Sequence, residues 1–437
     1  MNKFMKTKMH ITGIMLFGLC LAIVLMSCGK HQEGTSEADE VRIGVLLPQT
    51  GDWAWIGPAI NGARFAANEI NRAGGIPTED GKFYKIRIYS EDSGTESRMA
   101  ISGAGKLYNM NDVIAIIGPA SATIRSVIPL TTEAGAVLIS PTAGTTALDN
   151  RGGGINDEWV FRSVGSDIIM GSGMVHYAKD NLGAKRAACF FADDEGARSI
   201  YGVVQDAAAV AGIEIVKSIM FPAGQTSYRS ELTGLAESRP DVIFFESSPE
   251  TAGIFFKQWY ELGYEGKWVG TDFVNEKLIN ATWPASKGVY GVNPGPLPGP
   301  RYENWLKNYE DFKGNKGLDP FAINAYDAMN ILALAMARSG AVTSDGIKES
   351  IKEVAGPPGE QVTDFVQGLA LIREGKDIDY DGMAGPQDFN HYGDPVTYLK
   401  VEQIEDARLT RVATFTDKTI ESLVIDVMEI RRERAEK

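Results

Sequence analysis

Six short segments of this sequence share a chemistry: each follows an apolar run, and each is rich in hydroxyls, glycine or carboxylates. Pro48-Gln49-Thr50-Gly51-Asp52-Trp53-Ala54-Trp55 follows the run 41–47, and Gly118-Pro119-Ala120-Ser121 follows 113–118. Ser140-Pro141-Thr142-Ala143-Gly144-Thr145-Thr146 closes the run 136–140, and Asp193-Asp194-Glu195-Gly196 comes after 186–192. Glu246-Ser247-Ser248 and Thr271-Asp272-Phe273 end the runs 241–246 and 267–271. Ser121 stands before a helix-length stretch, so its hydroxyl and the free N–H groups of that helix start could hold a carboxylate. Thr142, Gly144 and Thr145 offer further hydroxyl and backbone groups. Asp272 could accept an ammonium group, and Trp53 and Trp55 could cover an apolar side chain. Plainer roles stay open: Ser121 and Thr142 as helix caps, Asp272 as a surface cap, the tryptophans as core.

The elements that must position these residues alternate. Strands are expected at 41–47, 84–90, 113–118, 136–140, 186–192, 213–220, 241–246 and 267–271. Several are continuously apolar and β-branched, as strands buried on both faces should be. Helix-length stretches lie between them at 58–73, 94–110, 121–134, 166–182, 196–211, 226–238 and 249–263. Strand, helix, strand at this spacing means parallel βαβ units, whose ligand sites lie beyond the carboxyl ends of the strands. The alternation breaks near 152–166, at Gly152-Gly153-Gly154, and near 291–300, a Pro/Gly-rich stretch. These breaks read as crossings between two α/β lobes. Helices dominate 301–373.

A chain of 437 residues is too long for one ordinary core. The formal charge is −14, more negative still once the three lysines near the N-terminus are removed. Such an acidic surface repels phosphate backbones, so nucleic acid is not an expected partner. Lys3, Lys6 and Lys8 precede the apolar run 11–26, which is short for a membrane span. This pattern is that of a signal peptide. Residues 29–40 are polar and charged and read as a tether. Cys20 belongs to the signal, and Cys189 lies in the apolar run RAACFFA, where a core role is expected. No disulfide is expected in the mature fold. His176 and His391 alone cannot build a multi-histidine metal site, and no metal or cofactor is expected.

Several stretches carry a family resemblance: IGVLLPQTGDWAWIG, NGARFAANEINRAGGI, IIGPASATIRSVIPL, AGAVLISPTAGTTAL, EWVFRSVGSD and DYDGMAGPQDFNHYGDP. In this order and spacing they resemble the type I periplasmic solute-binding proteins, in their leucine/isoleucine/valine-binding branch, from about Val41 to about Leu409. Leu25-Met26-Ser27-Cys28 likewise resembles the lipobox of bacterial lipoproteins, which implies a lipid on Cys28 and an extracytoplasmic, membrane-anchored address. The implied fold class is α/β: two Rossmann-like lobes joined by a three-strand hinge. The implied layout is a lipoprotein signal peptide over 1–27 and a flexible tether over 28–40. The N-terminal lobe would take 41–162 and 292–398, and the C-terminal lobe 163–291 and 399–437. The resemblance implies capture of an amino acid or similar small polar metabolite by hinge closure, with ABC permease subunits as partners. Trp55, Ser121, Thr142, Gly144, Thr145, Ser247 and Asp272 would bind the ligand, Asp272 by taking its ammonium group. Where branched-chain members of the family carry tyrosines, this chain has Gly196 and Ser247, and the family's cysteine pair in the N-terminal lobe is missing. A larger or more polar side-chain pocket is the expectation.

Three other readings compete. The sequence holds no G-x-S-x-G, H-E-x-x-H or C-x-x-C pattern, so catalysis is not expected, and Gly103-Ala104-Gly105-Lys106 lacks the spacing of a phosphate loop. Asp377, Asp379, Asp381, Gly382 and Asp388 match part of a calcium loop, but Asp388 stands where Glu is usual. The resemblance reads that segment as a β-turn. A ligand-binding sensor working with a separate receptor is the alternative function.

Overall fold

The structure, a computed structural model, describes residues 39–149, 159–389, 393–395 and 398–435. The signal, residues 28–38 of the expected tether, Cys28 and His391 lie outside these residues, and the last two tether residues, Asp39 and Glu40, instead open the first strand, paired with the neighbouring strand. The first sheet is built from β1 (Asp39–Leu47), β2 (Ile76–Pro77), β3 (Phe83–Asp92), β4 (Ala115–Ile117), β5 (Val137–Ser140) and β6 (Val160–Arg162). Between them run α1 (Ile60–Arg72), α2 (Ser97–Asn111) and α3 (Ser121–Ala134). The strand order is β2-β3-β1-β4-β5-β6, all parallel except the short edge strand β2. The order reverses at β1, whose neighbours are β3 and β4, so the loops after β1 and β4 flank a topological switch point.

The second sheet carries the other lobe. α4 (Asp167–Asp180), β7 (Arg186–Ala192), α5 (Glu195–Ala211), β8 (Glu214–Phe221) and α6 (Arg229–Glu237) open it. β9 (Val242–Glu246), α7 (Pro249–Glu261), β10 (Trp268–Gly270), α8 (Glu276–Thr282) and β11 (Tyr290–Pro294) continue it. The chain then returns to the first lobe with α9 (Pro300–Lys313), α10 (Ala322–Ser339), α11 (Ser344–Ala355), β12 (Glu360–Val362), α12 (Phe365–Arg373), β13 (Ile378–Gly382) and β14 (Gly385–Pro386). It comes back with the hairpin β15 (Leu399–Glu405) and β16 (Arg408–Phe415), and ends in α13 (Asp417–Ala435). The second sheet has the order β16-β15-β11-β10-β9-β7-β8. The chain therefore passes between lobes three times: after β6, after β11 and before β15.

Each lobe has its own core. Ile43, Val45, Ile117 and Ile139 of the first sheet pack with the nearly all-buried α10. On the other sheet face, Leu46, Ile116 and Leu138 pack with α2 and α3. Phe190, Phe245, Phe255 and Trp268 form an aromatic centre in the second lobe. Local chemistry sets the helix starts: the Asp194 carboxylate caps α5 by accepting from the Ala197 N–H, and Ser248 caps α7 just before Pro249.

The expected strands and helices up to residue 271 are present with ends shifted by a few residues, as helix fraying and strand ends allow. The differences come later. β11 stays in the second sheet through Pro294, so the second crossing follows that residue rather than residue 291. Its Pro/Gly-rich sequence hides a strand because one neighbour is supplied by β15, more than a hundred residues away in sequence. The calcium-like segment is strand β13 followed by a tight turn. An extended strand spreads Asp379 and Asp381 along its length instead of wrapping them round an ion, and Asp381 accepts a hydrogen bond from Arg301 Nη1 at 3.1 Å. Cys189 is fully buried on β7, and burial pushes its thiol up to about 12, as expected of a core cysteine.

Candidate functional site

The strand ends of the two lobes face one another across a narrow cavity. It is lined from the first lobe by Trp53, Trp55, Ser121, Thr142, Gly144 and Phe321, and from the second by Asp167, Gly196, Glu246, Asp272 and Phe273 among others. The lobes touch, and the space left for a water-sized molecule is about 40 Å³. Of the residues singled out in the sequence, Trp55, Ser121, Thr142, Gly144 and Asp272 come together here. Thr145 and Ser247 do not line the cavity.

Ser121 is the first residue of α3, not its cap. Ala120 holds the capping position in extended conformation, with no side-chain cap bond. The Ser121 hydroxyl is thereby left at the helix start, where the partial positive charge of the N-terminus favours an anion. Thr142 is also not a cap. Its Oγ1 is buried and has no hydrogen-bond partner, while its N–H donates to Ser140 Oγ at 3.2 Å. Thr145 is turned away to a structural role, its Oγ1 accepting from the Ala147 N–H at 3.3 Å and capping a short turn.

The loop 143–145 is held by a side chain fully buried at the end of β6. Arg162 Nη1 donates to the carbonyl oxygens of Ala143, Gly144 and Thr145 at 3.3, 3.0 and 3.1 Å. Arg162 Nε donates to Asp394 Oδ1 at 2.7 Å, and Nη2 donates to Asp149. Ser166 Oγ donates to the other Asp149 oxygen at 2.5 Å. A buried guanidinium with two carboxylates and three carbonyls is fully satisfied, so it fixes its surroundings rather than opening to solvent. The network ties β6, the loop after β5 and the third crossing at one point beside the hinge.

Two glycines are explained by close approach. A Cβ on Gly144 would stand 2.1 Å from Asp167 Oδ1, and the Asp167 N–H donates to the Gly144 carbonyl at 2.7 Å. Gly144 is thus where the two lobes meet. A Cβ on Gly196 would stand 2.8 Å from the Trp53 indole. The place opposite the glycine that replaces a family tyrosine is taken by a tryptophan from the other lobe. Trp53 therefore fills the space that the glycine leaves open. The ring of Phe273 lies 6.3 Å from Trp53 and 4.9 Å from Trp55, and Phe321 lies 6.2 Å from Trp55. Phe321 has φ +56, a costly left-handed conformation for a bulky residue, which starts α10 and turns the ring toward the cleft.

The cavity holds carboxylates besides the expected Asp272. Asp167 and Glu246 are each 5 % exposed, and Asp272 is partly exposed. Among the described residues no Lys, Arg or His lines the cavity. Burial pushes the Asp167 carboxyl up to about 7, with a Ser199 hydrogen bond and then Arg162 working against it. Burial pushes Asp272 up to about 6. Glu246 lies well above the usual carboxylate range, first through burial and then through Asp272, Asp167 and Asp194. Its Oε2 has no hydrogen-bond partner, and neither has Trp55 Nε1. The signal for Glu246 is present in the sequence as a carboxylate closing the apolar run VIFF. Successive residues at a strand end face opposite ways, and here Glu246 turns to the cleft while Ser247 does not.

Two α/β lobes, three crossings and an interlobe cavity lined with donors on one side and carboxylates on the other define a hinged ligand-binding protein. The chain belongs to the periplasmic binding protein family: the family model matches residues 40–407, and the chain is of the leucine/isoleucine/valine-binding kind. The family consists of extracytoplasmic substrate-binding proteins rather than enzymes. Among the described residues no helix is long and apolar enough to cross a membrane. The chain is 24% identical over 395 residues to the chemotactic signal transduction system substrate-binding protein BasB of Halobacterium salinarum, covering 86% of this chain and 91% of that one. It is 27% identical over 319 residues to an amino acid binding protein of Pseudomonas aeruginosa, covering 71% and 81%. Its fold matches the leucine binding protein LivK of Thermotoga maritima with a TM-score of 0.73 at 21% identity, over 87% of this chain and 99% of that one.

Proposed function

We propose that this protein captures an amino acid or similar small polar metabolite between its lobes and delivers it to the permease of an ABC importer. One observation carries the reading: Ser121 and Thr142 of one lobe and Asp272 of the other line the same cavity. Hydroxyls and a helix start suit the ligand's carboxylate, and Asp272 suits its ammonium group. A zwitterion then bridges the lobes and has differential affinity for the closed form, which is what drives closure. Trp55 supplies an apolar wall and its Nε1–H as one more donor. Gly144 takes part through its backbone and by admitting Asp167. Thr145 acts through its cap on the same loop, and Ser247 by adjoining Glu246. Cys28, lipid-modified, tethers the domain to the membrane; Cys28→Ala is expected to move the protein to the soluble fraction.

A thermal-shift screen of amino acids, followed by calorimetry on Asp272→Ala, tests this. A hit at 100 times its Kd stabilises the protein by about 2.7 kcal/mol. Loss of the ammonium partner is expected to weaken binding by about 2 kcal/mol or more, at least some thirtyfold. Equal affinity in Asp272→Ala would refute the assignment. The relative named for chemotactic signalling favours a second reading, a ligand-binding sensor that docks on a separate receptor. Uptake of the ligand abolished by deletion of a co-expressed permease supports transport, and uptake unaffected supports sensing.

A further inference from the structure

Glu246 ends β9 inside the cleft, 5 % exposed, and its Oε2 has no hydrogen-bond partner. Resting on the amino-acid reading above, we propose that the ligand is a cationic amino acid, and that Glu246 receives the positive charge of its side chain. The ligand's α-ammonium accounts for one carboxylate, Asp272. Asp167 abuts Gly144 and lies in the field of Arg162, which offsets part of its charge. Among the described residues Glu246 has no such cation: the charged groups that act on it are Asp272, Asp167 and Asp194, all of the same sign. Asp194 itself caps α5 and adds to the negative field. A neutral apolar side chain set against Glu246 would leave a desolvated carboxyl with no partner, whereas an amine would pair with it.

The rest of the wall fits the same ligand. Trp53, Trp55, Phe273 and Phe321 give ring faces, which attract cations and also pack against the methylene stem of a basic side chain. Leucine-like ligands use the stem contact only.

Calorimetry on the folded domain decides the matter with two pairs that differ by one terminal amine: lysine against norleucine, and ornithine against norvaline. Each titration is run at pH 7.5 in phosphate and in Tris. At least one diamino acid is expected to bind at least about tenfold more tightly than its neutral partner. Its binding is expected to release protons, because a cation in the cleft makes the raised carboxyls ionise. Glu246→Gln is expected to remove that preference and reduce the proton release. A neutral partner that binds wild type as tightly as the diamino acid overturns the inference, and so does a preference that survives in Glu246→Gln. If neutral amino acids bind and need Asp272, the inference fails while the amino-acid reading stands. If no α-amino acid of either kind binds, both fall. The wild-type comparison decides the outcome even where the variant is poorly folded.

Discussion

The carboxylates of the cleft make the stability of the ligand-free protein depend on pH in a calculable way. Asp167 and Asp272 are pushed up to about 7 and about 6 in the folded chain, against about 3.9 when unfolded. A folded-state pKa above the unfolded one means that the stabilisation is complete below about pH 4 and is lost as pH rises through 6 and 7. Lowering the pH from 7.5 to 5.5 lets the folded protein take up protons that the unfolded chain does not bind. Integrating the linkage for the two groups gives a gain of about 2–3 kcal/mol, the smaller share from the partly exposed Asp272. Glu246 acts in the same direction. Asp92 and Asp241, held below the usual range by hydrogen bonds, change their contribution only at more acid pH, outside this window. Asp327, buried in the first lobe and pushed up to about 7, gives a similar slope of its own. The Asp167→Asn/Asp272→Asn double variant separates the terms. Urea unfolding followed by circular dichroism at pH 7.5, 6.5 and 5.5 is expected to show wild type gaining about 2–3 kcal/mol more than the double variant. Parallel pH slopes for the two proteins would refute the picture of desolvated carboxyls in the cleft.

Two further outcomes follow from the hinge. Arg162→Met leaves Asp149 and Asp394 without their guanidinium and three carbonyls without a donor, and is expected to cost about 3–5 kcal/mol, read as a lower urea midpoint. A loss below about 1 kcal/mol would mean that the network does not hold the loop. Gly144→Ala puts a methyl group against the Asp167 carboxylate, an overpacking cost of about 1–3 kcal/mol, and thermal unfolding with an unchanged midpoint would show that the lobes do not meet there as described.

Much of the fold is legible in the sequence because its signals are local. Runs such as AVLI and VIFF are apolar at every position, which strands buried on both faces require, and the stretches between them have helix length. The rule that ligands sit beyond parallel strand ends, together with the family resemblance, points to Ser121, Thr142, Gly144 and Asp272, and equally to Thr145 and Ser247, which do not line the cavity. The later part of the chain is harder. β11 and β15 pair with one another, and neither shows a continuous apolar run of the kind that marks β5 and β9.

The sequence by itself determined the element types, the lobe alternation and the set of polar residues placed at strand ends, since each depends on residue type and spacing within some twenty positions. Only the tertiary structure decided which of those residues share a space. Gly196 announces an absent side chain, yet nothing near it in the chain says that Trp53 fills the place from the other lobe. Arg162 finds Asp394 more than two hundred residues away. Glu246 and Ser247 are neighbours of equal promise as letters, and the register of β9 between β7 and β10 turns the carboxylate inward. Side-chain direction at a strand end is set by pairing with distant strands, and a local reading does not contain that information.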